Sequence, residues 1–134
     1  MDDRKYLIIL ILFWIAVSIS LAFYQCNTKL NKQEERILYI GVASWYGGGE
    51  KLDTKTATSE VFSPTALTCA SYQFPFESIL EVTNQANGKS VEVRVNDLGA
   101  NKKLGRIIDL TKEAFSRIAE LDEGLITVEV EIVR

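Results

Sequence analysis

The run Asn87-Gly88-Lys89-Ser90-Val91-Glu92-Val93-Arg94-Val95-Asn96-Asp97-Leu98-Gly99 decides the fold. Val91, Val93 and Val95 fall on one face of an extended chain, and Glu92, Arg94 and Asn96 on the other, which is the period-2 signature of a half-buried strand. Asn-Gly is a dipeptide that supplies positive-φ positions for a tight turn, and Ile79–Thr83 on its other side is again apolar and β-branched. A hairpin pairing residues 79–83 with 90–96 is the first expectation.

Working outward, Ile126, Val128, Val130 and Ile132 alternate with Thr127, Glu129 and Glu131 in the same way. Further strands are expected at Leu38–Trp45, Ala66–Ala70 and Arg106–Leu110. One helix interrupts them: Thr111 is a capping residue, Ala114, Phe115, Ile118 and Ala119 form an apolar stripe, and Gly124 follows as a stop signal. Many short strands with a single helix point to a mainly β barrel.

The N-terminal segment is different in kind. Tyr6 to Tyr24 carries no charge, and a helix of that length spans roughly 28 Å, close to the thickness of a bilayer's hydrocarbon core. Arg4 and Lys5 precede it, and Ser20-Leu21-Ala22 has the small-x-small form of a cleavage site, so residues 1–25 are expected to be a transmembrane anchor or a removable signal peptide. Residues 26–36 are polar and charged and are expected to be a linker, leaving residues 37–134 as one domain. Cys26 next to the apolar run invites lipidation, but Phe23-Tyr24-Gln25 lacks the small residue that such processing needs immediately before the cysteine.

Composition narrows the chemistry. The residues after Arg36 hold fourteen acidic side chains against ten basic ones, so the domain presents no basic footprint for nucleic acid. The chain has no histidine, which removes His–carboxylate metal sites, Ser/His/Asp triads and Cys/His dyads together. Cys69 lies in the apolar run Ala66-Leu67-Thr68-Cys69-Ala70 and reads as a small buried hydrophobe. Acid–base work therefore falls to carboxylates, Lys, Tyr or Cys. Asp97 continues the parity of the valine stripe and should tilt inward at a barrel end, where partial shelter from water favours the protonated carboxyl that a general acid requires. Spacing alone favours the plainer alternative, a turn in which Asp97 bonds its own backbone. Glu60 sits in a polar loop. Trp45 and Tyr46 end a strand beside Gly47-Gly48-Gly49, a position suited to stacking on sugar rings or to strand-end packing.

These residues carry a resemblance. Gly41-Val42-Ala43-Ser44-Trp45-Tyr46-Gly47, Thr56-Ala57 with Glu60, Ala66-Leu67-Thr68, Pro75-Phe76, Val82-Thr83-Asn84, Asn87-Gly88-Lys89-Ser90, Val93–Gly99 and Gly105-Arg106-Ile107-Ile108-Asp109-Leu110 stand in the order of the rare lipoprotein A (RlpA) family pattern. The resemblance implies a six-stranded double-psi β-barrel, a fold shared with expansins. It further implies a lytic transglycosylase that cuts the MurNAc–GlcNAc bond of peptide-stripped peptidoglycan strands and leaves 1,6-anhydro ends. Asp97 and Glu60 match the family's catalytic positions, and Trp45, Tyr46, Ser71 and Asn96 are expected to meet substrate. No metal or organic cofactor is implied, and the barrel is expected outside the cytoplasm of a bacterial envelope, with peptidoglycan and the membrane as its partners. Ser71 stands where the family has a histidine, Thr58-Ser59 replaces the usual Asn-Gly before the glutamate, and Ala100 replaces a proline. A serine does not titrate near neutral pH, so an expansin-like glycan-binding module is the rival expectation.

Overall fold

The computed structural model describes residues 3–31, 36–50, 54–100 and 105–134. The chain divides into two units, Met1–Arg36 and Ile37–Arg134.

The first unit contains helix α1, Asp3–Asn31. Its Asp3–Asn27 stretch is long and apolar enough to cross a membrane, a test that a signal sequence also passes. The helix runs past Tyr24 into the segment expected to be a linker, because no glycine or proline stands between Tyr24 and Asn31 to stop it. The rest of that expected linker, residues 32–35, lies outside the described residues.

In the second unit, among the described residues, six strands close a barrel: β1 (Leu38–Tyr46), β2 (Thr68–Ala70), β3 (Ile79–Asn84), β4 (Ser90–Asp97), β5 (Arg106–Thr111) and β6 (Ile126–Ile132), in the order β1-β5-β2-β4-β3-β6. Closure leaves no sheet edge unpaired. The pairs β1·β5 and β2·β4 are parallel, and the remaining four are antiparallel. The valine stripe of β4 (Val91, Val93, Val95) and that of β6 (Val128, Val130) point into one core with Leu80, Val82, Ile108, Leu110 and Phe115. Alternation with outward polar residues thus gives the sheet the single buried face around which it closes.

The hairpin joins β3 to β4 in the expected register, with Leu80 opposite Val93 and Val82 opposite Val91. Its turn is longer than a two-residue connection. Only Gly88 has positive φ, +72°, and the loop is stitched by side chains: Asn84 Oδ1 accepts from Ala86 N (2.9 Å), and Asn87 Oδ1 accepts from Lys89 N (2.9 Å). Both asparagines also donate to the carbonyl of Ile118, at 2.8 and 2.9 Å, which ties the loop to the segment after the helix. Asn87→Ala removes two of these bonds and is expected to lower stability by about 1 kcal/mol, read as a shifted midpoint in urea at unchanged slope.

Helix α2 (Lys112–Ser116) starts where the sequence places its cap, with Thr111 Oγ1 accepting from Ala114 N. It stops before the end of the apolar stripe. Ile118 nevertheless stays fully buried, and a 3₁₀ turn at Leu121–Glu123 with Gly124 at φ +70° leads into β6.

Candidate active site

A register shift between Cys69 and Ala70 sets Ala70 opposite Asp97 at the C-terminal end of β4. Gly99 follows, and a Cβ there would meet the Ala70 methyl at 2.9 Å, so glycine is what lets the chain turn this tightly against β2. The result is an open cleft of about 480 Å³ whose walls include Tyr46, Lys55, Phe62, Asp97, Gly99 and Asp109.

Asp97 is half-buried in this cleft. Its Oδ1 accepts from Leu98 N and from Ala57 N, both at 2.9 Å. The first bond is the local turn that the spacing allowed; the second is made across the cleft by the loop 54–62. Among the described residues no donor reaches Oδ2. One carboxylate oxygen is therefore fixed by backbone amides while the other is uncommitted.

Loop 54–62 is itself built as a small ribbon. Thr56 N donates to Glu60 O (2.8 Å), Phe62 N donates to Thr54 O (3.1 Å), and Lys55 bridges Val61. Thr58 fastens it to β4 by donating from both its amide and its hydroxyl to Asn96 O, at 3.3 and 3.0 Å. Glu60 completes the attachment. It receives Arg94 at 2.7 and 2.8 Å in a two-pronged pair and Asn96 Nδ2 at 3.1 Å, and these bonds hold its carboxyl down at about 2. Glu60 is thus a clamp on the loop that delivers Ala57 to Asp97, and it does not line the cleft.

That clamp has a pH signature. The folded-state pKa lies below the ordinary 4.5, so its stabilisation is complete above about 4.5 and is lost as pH falls toward 2. Glu60→Gln is expected to flatten the acid limb of stability between those values, and thermal melts across that range test it. An unchanged acid limb in the variant rejects the clamp.

Asp109 was not singled out by the sequence, where it sits in the apolar run Arg106–Leu110. It is nearly buried in the wall of the cleft, receives Ser44 Oγ on Oδ1 (2.7 Å), and receives Ala100 N (3.0 Å) and Arg106 Nη2 (2.7 Å) on Oδ2. Two carboxylates thus face one cleft in unlike settings.

The two strand-end aromatics separate. Tyr46 lines the cleft, stacked on Phe62 with ring centroids 5.1 Å apart. Burial, with Asp97, Cys69 and Asp109 nearby, pushes its hydroxyl above the ordinary tyrosine value, so it keeps its proton. Trp45 faces the other way: its Nε1 donates to Leu121 O (3.0 Å) and its ring packs near Phe115. Ser71 is fully buried, donates to Ile107 O (2.7 Å) and accepts from Gln73 N (3.0 Å), and is not among the cleft-lining residues. Asn96 is buried beneath loop 54–62 rather than in the cleft. Cys69 is fully buried, and burial raises its thiol well above the usual value, which leaves it inert.

The family model described as "Lytic transglycolase" matches residues 39–130. A probable endolytic peptidoglycan transglycosylase RlpA of Nostoc sp. is 39% identical over 99 residues, covering 73% of this chain and 26% of the relative. The endolytic peptidoglycan transglycosylase RlpA of Campylobacter jejuni is 43% identical over 93 residues, covering 69% and 33%. The chain thus spans about a quarter to a third of the length of these relatives. Among solved structures, the Streptomyces papain inhibitor superposes with TM-score 0.58 at 20% identity, over 73% of this chain and 96% of that one. A Clavibacter michiganensis expansin in complex with cellohexaose gives 0.58 at 23%, over 73% and 51%. At such identities these two likenesses speak to the barrel alone.

Proposed function

The chain belongs to the RlpA-like lytic transglycolase family, and from that membership we propose that its barrel cleaves the MurNAc–GlcNAc bond of peptide-stripped peptidoglycan strands. Helix α1 serves to carry or hold the barrel at the extracytoplasmic face of the membrane. The observation that carries the reading is Asp97, set in an open cleft with one oxygen pinned by two backbone amides and the other uncommitted among the described residues.

In this mechanism protonated Asp97 gives its proton to the glycosidic oxygen. The C1–O bond breaks, its electron pair stays on the leaving GlcNAc oxygen, and the muramyl C6 hydroxyl oxygen closes on C1. The hydroxyl proton returns to the Asp97 carboxylate, so the cycle consumes no water and needs no enzyme nucleophile. Asp109, ion-paired with Arg106 and bonded by Ser44 and Ala100, is a fixed part of the cleft wall. Tyr46 and Phe62 form an aromatic wall for the sugar, while Glu60 and Asn96 act indirectly by fixing loop 54–62.

A second reading is favoured by Ser71. The position at which the family carries a titratable histidine holds a buried, fully bonded hydroxyl. A barrel of this kind that binds glycan without turnover, as an expansin-like module, keeps the cleft and loses the product. Incubating the full chain in mild detergent with peptide-stripped glycan strands separates the two: soluble fragments with anhydro ends are expected, whereas protein that pellets with intact glycan and releases nothing supports the binding module.

A further inference from the structure

Among the described cationic side chains of the barrel, the four arginines are spoken for. Arg94 is held by Glu60 and Glu77, Arg106 by Asp109, Arg117 by Glu113, and Arg134 lies 3.8 Å from Glu92. Lys55 is the exception inside the cleft. It is exposed, lines the same cavity as Asp97 and Asp109, and makes no ion pair among the described residues. Its position is set by the Val61 bridge, two residues from the Ala57 amide that holds Asp97. The ribbon that fixes the proton donor therefore also presents a cation to whatever lies over it.

We infer that Lys55 receives the lactyl carboxylate of a peptide-free muramic acid, and so selects stripped strands over peptide-bearing ones. The inference rests on the peptidoglycan reading above. Its chemistry is that of the substrate: removing the stem peptide converts a neutral amide on the lactyl ether into a carboxylate, placing a negative charge on the lactyl group itself. A cleft that holds the unpaired Asp97 carboxyl, in a domain of net negative charge, disfavours a lactyl carboxylate unless a cation answers that charge locally. Lys55 is the cleft-lining group free to do so. A stem peptide in amide linkage leaves the lactyl carbonyl neutral, carries its own charges farther out, and adds bulk at the same point.

The test compares peptide-stripped strands with the same strands after their lactyl carboxylates are converted to primary amides. Affinity is measured by calorimetry, and cleavage by released ends, using the full chain in mild detergent. Wild type is expected to bind the carboxylate form about fivefold more tightly than the amide form, a preference that fades at high salt. Lys55→Met abolishes the preference by weakening the carboxylate form alone, and Lys55→Arg retains it. Equal affinity of wild type for the two forms, or a preference that survives Lys55→Met, overturns the inference. If neither strand is cut, the transglycosylase reading fails, while the affinity comparison still decides the role of Lys55.

Discussion

Asp97→Asn is expected to lower the rate of glycan cleavage by at least about a hundredfold while leaving glycan affinity and the melting temperature close to wild type. The substitution keeps an oxygen where Ala57 N and Leu98 N donate, so loop 54–62 stays in place. What it removes is the exchangeable proton. Histidine is absent from the chain, and the tyrosine of the cleft keeps its proton too tightly to trade it near neutrality. Glu60, already engaged by Arg94 and Asn96, is held ionised and is no substitute acid. Retention of more than about a tenth of the activity would move the acid elsewhere, since general acid–base catalysis supplies factors of 10² to 10⁴.

The second large effect is on stability. Asp109→Ala leaves Ser44 Oγ, Ala100 N and Arg106 Nη2 without their acceptor, beside an Arg106 Nε that already has none. Orphaned buried donors cost about 1–3 kcal/mol each, and the partial exposure of Arg106 softens its share, so the expected loss is about 3 kcal/mol. For a domain of this size that is a fall in melting temperature of more than about 10 °C. Asp109→Asn keeps one acceptor oxygen and is expected to fall between. A melting point within a few degrees of wild type for Asp109→Ala would mean that water entering through the cleft satisfies these donors.

The contrast between these two aspartates also measures what could be read before any coordinates. Strands β4 and β6 were legible because each buries one face, and burial writes itself as alternating valines. Asp97 was legible because it ends such a stripe. The parallel pairings β1·β5 and β2·β4 left no local mark, since strands distant in sequence meet through bulges at Val42/Ala43 and Cys69/Ala70. The β1·β5 pairing puts Asp109 opposite Ser44 and the antiparallel β2·β5 pairing puts it opposite Ala70, which is why an acid inside an apolar strand escaped notice. The adjacent aromatics were legible as a pair but not as individuals: strand alternation sends Tyr46 to the cleft and Trp45 to the helix side. Glu60 and Ser71 were placed by resemblance at the site, whereas their bonds are to Arg94, Asn96, Ile107 and Gln73. Side chains that shape a loop and side chains that face a ligand share the same composition, so sequence did not separate them.

In the proposed reaction the muramyl C6 hydroxyl, and not water, attacks the centre that Asp97 helps to generate. Digesting peptide-stripped strands with the full chain in ¹⁸O-labelled water and weighing the fragments tests it directly. Fragments bearing an anhydro end, one water lighter than a reducing end and free of ¹⁸O, are the predicted result; reducing ends that carry ¹⁸O, or no fragments at all, would contradict it.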